Sequence, residues 1–483
     1  MGSESSSKMP NIVFILSDDQ GAWALGCAGN HEIRTPNLDR LAADGIRFEH
    51  FFCVSPVCSP ARASLLTGKI PSQHGVHDWI RDGNIGESST EYLSEHRAYT
   101  DILAENGYIC GISGKWHLGD SLKPQKNFTH WFVHQTGVGN YYDAPMIRNG
   151  QPVNEPGYIT DVITDDALTF IEERSQDDKP FYLSVHYTAP HFPWTGDQHP
   201  QQFLDMYKDC LFESCPQEQG HPWTRLAGLN EEEARESLIG YFAAVTAMDH
   251  NIGRIMLKLD ELALRDNTLI CFLSDNGFNC GHHGFWGKGN GTFPLNLFDT
   301  SIKVPAIMCH PGHIPPGIVC EDLVSAYDFM PTLLDYLHLD YLHIEDSHVH
   351  ALPGQSFLHA LQGKQVKDDR PVVVYDEYGS ARMIRTKAWK YVHRYPYGPH
   401  ELYDLLNDPG EKRNLIHDAS MEEIAASLKC RLDEWFILYA DPKVDGVREA
   451  VAGGGQIHLA GVRSKGKNAY SDTRDRPVDV GRL

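Results

Sequence analysis

The sequence has no apolar run long enough to cross a bilayer, which excludes a chain threaded through a membrane by helices. It has no CxxC pair and no dense cysteine framework. Its 11 cysteines, an odd number, are scattered along 483 residues, a pattern that fits a reducing compartment better than a disulfide scaffold. Positive charge is scarce: 42 Lys and Arg stand against 65 Asp and Glu, for a formal net charge of -23. That balance argues against nucleic acid or an anionic membrane surface as a partner. The first residues, MGSESSSKMP, lack the basic and apolar regions of an export signal. With the cysteine pattern, this leads to an expectation of cytoplasmic residence. There is no internal repeat of the solenoid kind.

What is present, 41% hydrophobic and 22% charged residues, is globular material for one large α/β domain and a smaller one. Four segments share a design, an apolar run followed at once by polar residues and glycine or proline. They are NIVFILSDDQG (11–21), GYICGISGKWHLG (107–119), PFYLSVHYTAPHFPW (180–194) and TLICFLSDNGFNCG (268–281). Such runs suit buried parallel strands. The loops that leave the carboxyl ends of parallel strands line one crevice. Asp18, Asp19, Lys115, His117, His191, Asp275 and Asn276 are therefore expected to converge although they are far apart in sequence.

Helical patterns at 35–45 and 231–262 alternate with these strands, so the fold class is α/β: a large, mixed, mostly parallel sheet flanked by helices. Near residue 363 the character changes. PVVVYDEY, ARMIRTKAWKYVHRY and HELYDLL read as short strands joined by turns, and residues 421–439 read as one amphipathic helix, together a smaller C-terminal α+β subdomain with an antiparallel sheet. The expected organisation is a leader at 1–10, a catalytic domain at 11–365, the subdomain at 366–440 and an irregular tail at 441–483.

The strands ending SDDQG and SDNGF each place two oxygen-bearing side chains side by side. Three carboxylates and an amide oxygen suit a hard divalent cation, calcium or magnesium; each Asp could instead cap the turn that follows it. A thiolate and histidine set at zinc spacing is missing. The stretch VCSPARASLLTG (57–68) reads as a short helix, with Pro60 just inside its start and Gly68 just past its end, so Cys58 sits at the mouth with Arg62 one turn on. A helix N-terminus lowers a thiol's pKa, which makes Cys58 a candidate nucleophile; a buried structural cysteine is the alternative. A working thiolate is a poor neighbour for a cation that prefers oxygen.

CSPARASLLTG resembles the maturation motif of the type I sulfatases of the alkaline phosphatase superfamily, Cys-x-Pro-x-Arg followed by Thr-Gly. ILSDDQG, SGKWHLG, APHFPW, FLSDNG and WGKG follow in that family's order, and YDFMPTLLDYL and ELYDLLNDPGEKRNLI resemble elements outside its pocket. The resemblance implies hydrolysis of sulfate esters, a formylglycine made from Cys58 by a maturation enzyme, and a calcium ion, with magnesium possible, held by Asp18, Asp19, Asp275, Asn276 and modified Cys58. It implies that Arg62 steadies the formylglycine, that Lys115 and Lys288 meet sulfate oxygens, that His191 serves the leaving oxygen and that His117 is the base that releases sulfate.

The expected substrate is a small or terminal sulfated group on a sugar. Trp79, Arg81, His282, His283, His393 and Arg394 are candidates to recognise the rest of it, with surface packing as the alternative. A phosphonate monoester or phosphodiester hydrolase of the same superfamily is the competing enzyme reading, and a noncatalytic binder of sulfated glycans with an unmodified Cys58 is the competing reading of another class. After Lys288 the sequence departs from the family: LFDTSIKVP stands where a Tyr-Glu-Gly-Gly-like stretch is usual, so Asp299 takes the place of the acid.

Overall fold

Every residue of the strand Asn11–Ser17 is buried, as a strand covered on both faces requires of its apolar run. In the computed structural model, which describes residues 9–225, 229–340, 351–364 and 374–471, this strand lies inside an 11-stranded sheet. It pairs in parallel with Thr268–Ser274 on one side and Phe181–His186 on the other, and Phe181–His186 pairs in parallel with Ile109–Gly114. The four segments read from the sequence are thus consecutive neighbours. Phe128–His134 extends the parallel block, and antiparallel strands flank it on both sides.

The two-residue alternation of strands divides the interior into two cores. Ile12, Phe14 and Leu16 enter one apolar cluster together with Ala61, Ala63, Leu65 and Leu66 of the helix Cys58–Thr67. Val13 and Ile15 enter the other, which is covered by Tyr241, Val245, Met248 and Ile252 of the helix Glu231–Glu261. That long helix opens with a reciprocal cap: the Asn230 side chain accepts from the Glu233 N–H, and the Glu233 carboxylate accepts from the Asn230 N–H. The helix Cys58–Thr67 is buried along its whole length and ends at Gly68, whose φ of 66° carries no Cβ penalty.

Val374–Tyr378, Ala381–Arg385, Trp389–Arg394 and Glu401–Asp404 form a four-stranded antiparallel sheet. The helix Glu422–Tyr439 packs on it through Leu428, Leu432 and Phe436. Residues 371–373 of the expected first strand, and residues 341–350, lie outside the described residues. Among the described residues of the tail there are two short helical turns, Gly446–Arg448 and Gly461–Ser464. It is nevertheless well packed: Val451 and residues 453–456 are buried. All 11 cysteines are free thiols. Among the described residues no helix is long and apolar enough to cross a membrane.

Candidate active site

Strand register builds the site. Ser17 pairs with Ser274, and Gly114 pairs with His186, so Asp18, Asp275 and Lys115 leave the sheet at one level. Backbone bonds hold that level: Asp275 N–H donates to Ser17 O at 3.1 Å, and Lys115 N–H to His186 O at 2.8 Å. Asp19 takes a left-handed backbone conformation, φ 65°, one that Asp tolerates better than most residues. The sharp turn there brings two consecutive carboxylates into one pocket.

The carboxylates are buried among cations. Asp18 pairs with Lys115 and lies 3.8 Å from Arg62 Nη2. Asp275 Oδ2 accepts from Arg62 Nε at 2.9 Å, and Arg62 Nη1 donates to Lys115 O at 2.9 Å. Asp19 Oδ1 takes a bond from Lys288 and another from Asn276 Nδ2 at 2.7 Å. Burial alone would raise the Asp18 carboxyl, but Lys115, His191, Arg62 and Lys288 outweigh it and hold it well below the usual carboxylate range. Asp275, raised first by burial and then by the adjacent Asp18 charge, is pushed up to about 7.

Cys58 Sγ lies 3.3 Å from Asp18 Oδ1 and 2.8 Å from Lys288 Nζ. Burial and the Asp18 charge push its thiol up to about 12, despite Lys115 and Lys288. The helix N-terminus therefore does not make Cys58 a thiolate, and the residue as encoded is a poor nucleophile.

The pocket suits a hard cation. Asp18, Asp19, Cys58 and His191 each offer a ligand atom, all within 4.8 Å of one another. Asn276 adds a diagnostic feature. Its Nδ2 donates to Asp19 Oδ1 and to Gly277 O, which fixes the amide orientation and leaves Oδ1 buried with no hydrogen-bond partner. A bare buried carbonyl beside three carboxylates is costly by itself and fits oxygen coordination of calcium or magnesium. Sulfur is the misfit in that donor set.

Both candidate histidines have an assignable tautomer. His117 Nε2 lies 2.8 Å from the Ile80 carbonyl, which can only accept, so Nε2 carries the proton; Nδ1 is buried with no partner. Burial and Lys115 keep the ring well below its ordinary pKa, and so neutral. His191 donates from Nδ1 to Phe192 O at 2.9 Å, which leaves Nε2 facing Asp19 Oδ2 at 3.6 Å. Burial lowers its pKa too, with Asp19 opposing.

The residues suggested for wider recognition are not gathered in the same way. His282 accepts from Cys280 N–H at Nδ1 and donates from Nε2 to Ser214 O, so both ring nitrogens are spent on the fold. His283 stacks on Phe298 at 3.9 Å. His393 stacks on His400 and bonds the Tyr391 hydroxyl. Arg394 is buried and donates to Leu295 O and Pro399 O while pairing with Glu401. Trp79 Nε1 donates to Gly453 O, and Arg81 donates to the Ser471 hydroxyl. Asp299 stands apart from the carboxylate cluster, in a buried network with Lys390 at 2.7 Å and Arg385 at 3.0 Å, so it ties the pocket wall to the C-terminal sheet.

Four supporting residues are not marked by residue type, although Ser59 and Thr188 lie inside the quoted segments. Ser59 donates to His117 O, Tyr141 donates to His191 O, and Thr188 bonds His134. Gly137 leaves room for the His117 ring: a Cβ there would come within 2.0 Å of it.

A family model described as Sulfatase matches residues 10–339, and a second, described as N-sulphoglucosamine sulphohydrolase, C-terminal, matches residues 281–436. The chain is 28% identical to the N-acetylglucosamine-6-O-sulfatase of Bacteroides thetaiotaomicron over 92% of this chain and 89% of the relative. It is 31% identical to the ulvan-active sulfatase of Formosa agariphila, covering 88% of this chain and 80% of that one. A solved complex with its substrate D-glucosamine-2-N,6-O-disulfate superposes with a TM-score of 0.75 at 26% identity, over 91% of this chain and 99% of that chain. Residues 441–471 lie beyond both matched regions.

Proposed function

This chain belongs to the sulfatase family and is a sulfuric ester hydrolase; on that premise we propose that it removes sulfate from a small or terminal sulfated sugar, using residue 58 after its thiol has been oxidised to formylglycine. The sugar assignment is supported by the relatives named for N-acetylglucosamine-6-O-sulfate and ulvan chemistry, and by the complex with a sulfated glucosamine. One observation carries the proposal. Cys58 shares a buried pocket with Asp18, Asp19 and His191, ligand atoms within 4.8 Å, where a thiol is held protonated and an oxygen donor would fit.

Asp18, Asp19, Asp275, Asn276 and modified residue 58 would hold calcium. The ion would supply positive charge that stabilises an ionised hydroxyl on residue 58 and a sulfate oxygen. The hydrated aldehyde supplies two geminal hydroxyls, one to take the sulfuryl group and one whose proton must be removed to release it. Arg62, locked by Asp275 and the Lys115 carbonyl, steadies that side chain. Lys115 and Lys288 would offset the negative charge shared by the three oxygens of the transferred group. His191 would give a proton to the departing sugar oxygen from Nε2 in its doubly protonated form, which Asp19 at 3.6 Å favours and burial opposes, and His117 Nδ1, the bare nitrogen of a neutral ring, accepts the proton whose removal releases sulfate.

The test is turnover of N-acetylglucosamine-6-sulfate and an aryl sulfate by matured, calcium-loaded protein, beside an aryl phosphonate monoester. Faster sulfate hydrolysis supports the reading. Faster phosphonate hydrolysis moves the protein to the competing hydrolase class, and turnover of none of the three leaves a binder.

A further inference from the structure

The tail beyond the matched regions returns to the segment that follows the Cys58 helix. Asp441 N–H donates to Ser72 O, Gly446 N–H to Ser72 Oγ, and Gly455 N–H to Asp78 Oδ2. His77 Nε2 bonds Val444 O at 2.8 Å. These contacts converge on Gln456, which is fully buried.

Gln456 uses both its backbone groups and its side-chain amide, and all but one of the bonds reach the segment that follows the Cys58 helix. Its backbone N–H donates to Trp79 O at 2.7 Å and its carbonyl accepts from Arg81 N–H at 2.9 Å, so the two bonds bracket Ile80 in a parallel bridge. Its Oε1 accepts from His77 N–H at 2.9 Å and Asp78 N–H at 3.4 Å. Its Nε2 donates to Gly75 O and His458 O, both at 3.0 Å. Two N–H donors on one side and two carbonyls on the other leave a single amide orientation.

The bracketed Ile80 peptide is joined to the active site at both ends. Ile80 N–H donates to Ser59 Oγ at 3.0 Å, and Ser59 Oγ donates to His117 O at 2.9 Å. His117 Nε2–H donates back to Ile80 O at 2.8 Å, an oxygen that also accepts from Asn84 Nδ2 at 3.1 Å. The result is a closed ring of Ser59, Ile80 and His117 beside residue 58, held in place from behind by Gln456. Ile80 O fixes the His117 tautomer, and through it the bare Nδ1.

We infer that Gln456 is a positioning residue for the hydrolytic reaction, acting through the Ile80 peptide on the ring of His117. The inference rests on the proposed role of His117 as the base. It gives the C-terminal tail a part in catalysis without contact with substrate. The expected consequence of releasing Ile80 is a ring that samples the wrong tautomer and orientation.

The test compares Gln456→Ala, His117→Ala and the double variant as matured, calcium-loaded full-length protein with an aryl sulfate. Gln456→Ala is expected to lower kcat by about tenfold to a hundredfold, as small misplacements of catalytic groups do, with KM within about twofold. The double variant is expected to be no slower than His117→Ala. Nitrogen-15 histidine spectra, with the His117 signals assigned by their loss in His117→Ala, should show a single Nε2-protonated tautomer in the parent and a mixture in Gln456→Ala. Parent-like kcat in Gln456→Ala, an unchanged tautomer, or a loss that multiplies in the double variant would overturn the inference. Parent-like turnover by His117→Ala would instead remove the base assignment on which it rests. Should Gln456→Ala not fold, Gln456→Glu keeps the acceptor contacts to His77 and Asp78 and is judged by the same criteria: reduced kcat with a disturbed tautomer supports the inference, and parent values overturn it.

Discussion

Lys288 Nζ lies 2.8 Å from Cys58 Sγ and also pairs with Asp19. Burial works against the charged form of this lysine, but the Asp19 and Asp18 carboxylates hold its pKa well above the ordinary value. A fixed positive charge therefore faces the side chain proposed to accept the sulfuryl group. Asp19 completes the arrangement, linking that cation to the proposed calcium pocket.

Cys58→Ser separates the two halves of the reaction. A serine hydroxyl can take the sulfuryl group, but it has no geminal partner whose deprotonation would expel it. The expected outcome is at most one turnover per chain, with the sulfuryl mass retained on the peptide that carries residue 58. Continuous turnover by this variant would show that the second hydroxyl is not needed.

Arg62→Ala leaves Asp275 without its 2.9 Å partner in a fully buried setting. Asp275, already pushed up to about 7, protonates once Arg62 is gone, and the Lys115 carbonyl loses its donor, so the expected cost is about 1–3 kcal/mol for buried polar groups left without partners. Denaturant melts of the variant should show a loss of that size, together with a fall in kcat. A variant as stable as the parent would mean that the pair is not buried as described.

Calcium binding should register in stability as well as in activity. A ligand that binds only the folded chain adds about 2.7 kcal/mol at a hundredfold excess over its dissociation constant. Calcium should raise the melting temperature of chelator-treated protein, and Asn276→Ala, which removes the bare Oδ1, should shrink the rise. An equal rise in both proteins would place the ion elsewhere.

Asp249 supplies a pH test remote from the pocket. This residue of the long helix accepts from the Asn37 and Leu38 N–H groups and from Asn37 Nδ2, at the start of the helix Pro36–Ala43. Burial pushes its carboxyl up to about 6. A raised folded pKa means that its contribution is complete below the unfolded value near 4 and is lost as pH rises through about 6. Asp249→Asn does not titrate, so its melting temperature relative to the parent should climb between about pH 4 and pH 7. A difference that is flat with pH would refute the shift.

The legible parts of this molecule are those in which strand chemistry and site chemistry coincide. Asp18, Lys115, His191 and Asp275 stand at or just beyond the ends of apolar runs, and parallel pairing brings strand ends together whatever their separation in sequence. Gln456 and Ile80 were not legible, because Ile80 acts through its peptide group and Gln456 through partners nearly four hundred residues earlier. His282 and Arg394 show the converse. Histidines and arginines carry the same chemistry whether they face substrate or a backbone carbonyl, and here Ser214 O and Leu295 O accept their hydrogen bonds. The tail reads as irregular because it lacks periodicity, yet Gly453 lets it pack closely against Arg225, and Gly455 against Trp79 and Arg81.

Mass measurement of the peptide carrying residue 58, taken from protein whose sulfatase turnover has been measured in the same preparation, tests the central claim most directly. The account predicts an aldehyde in place of the thiol, in a fraction that tracks specific activity across preparations. Full activity in protein whose Cys58 is wholly thiol would contradict it.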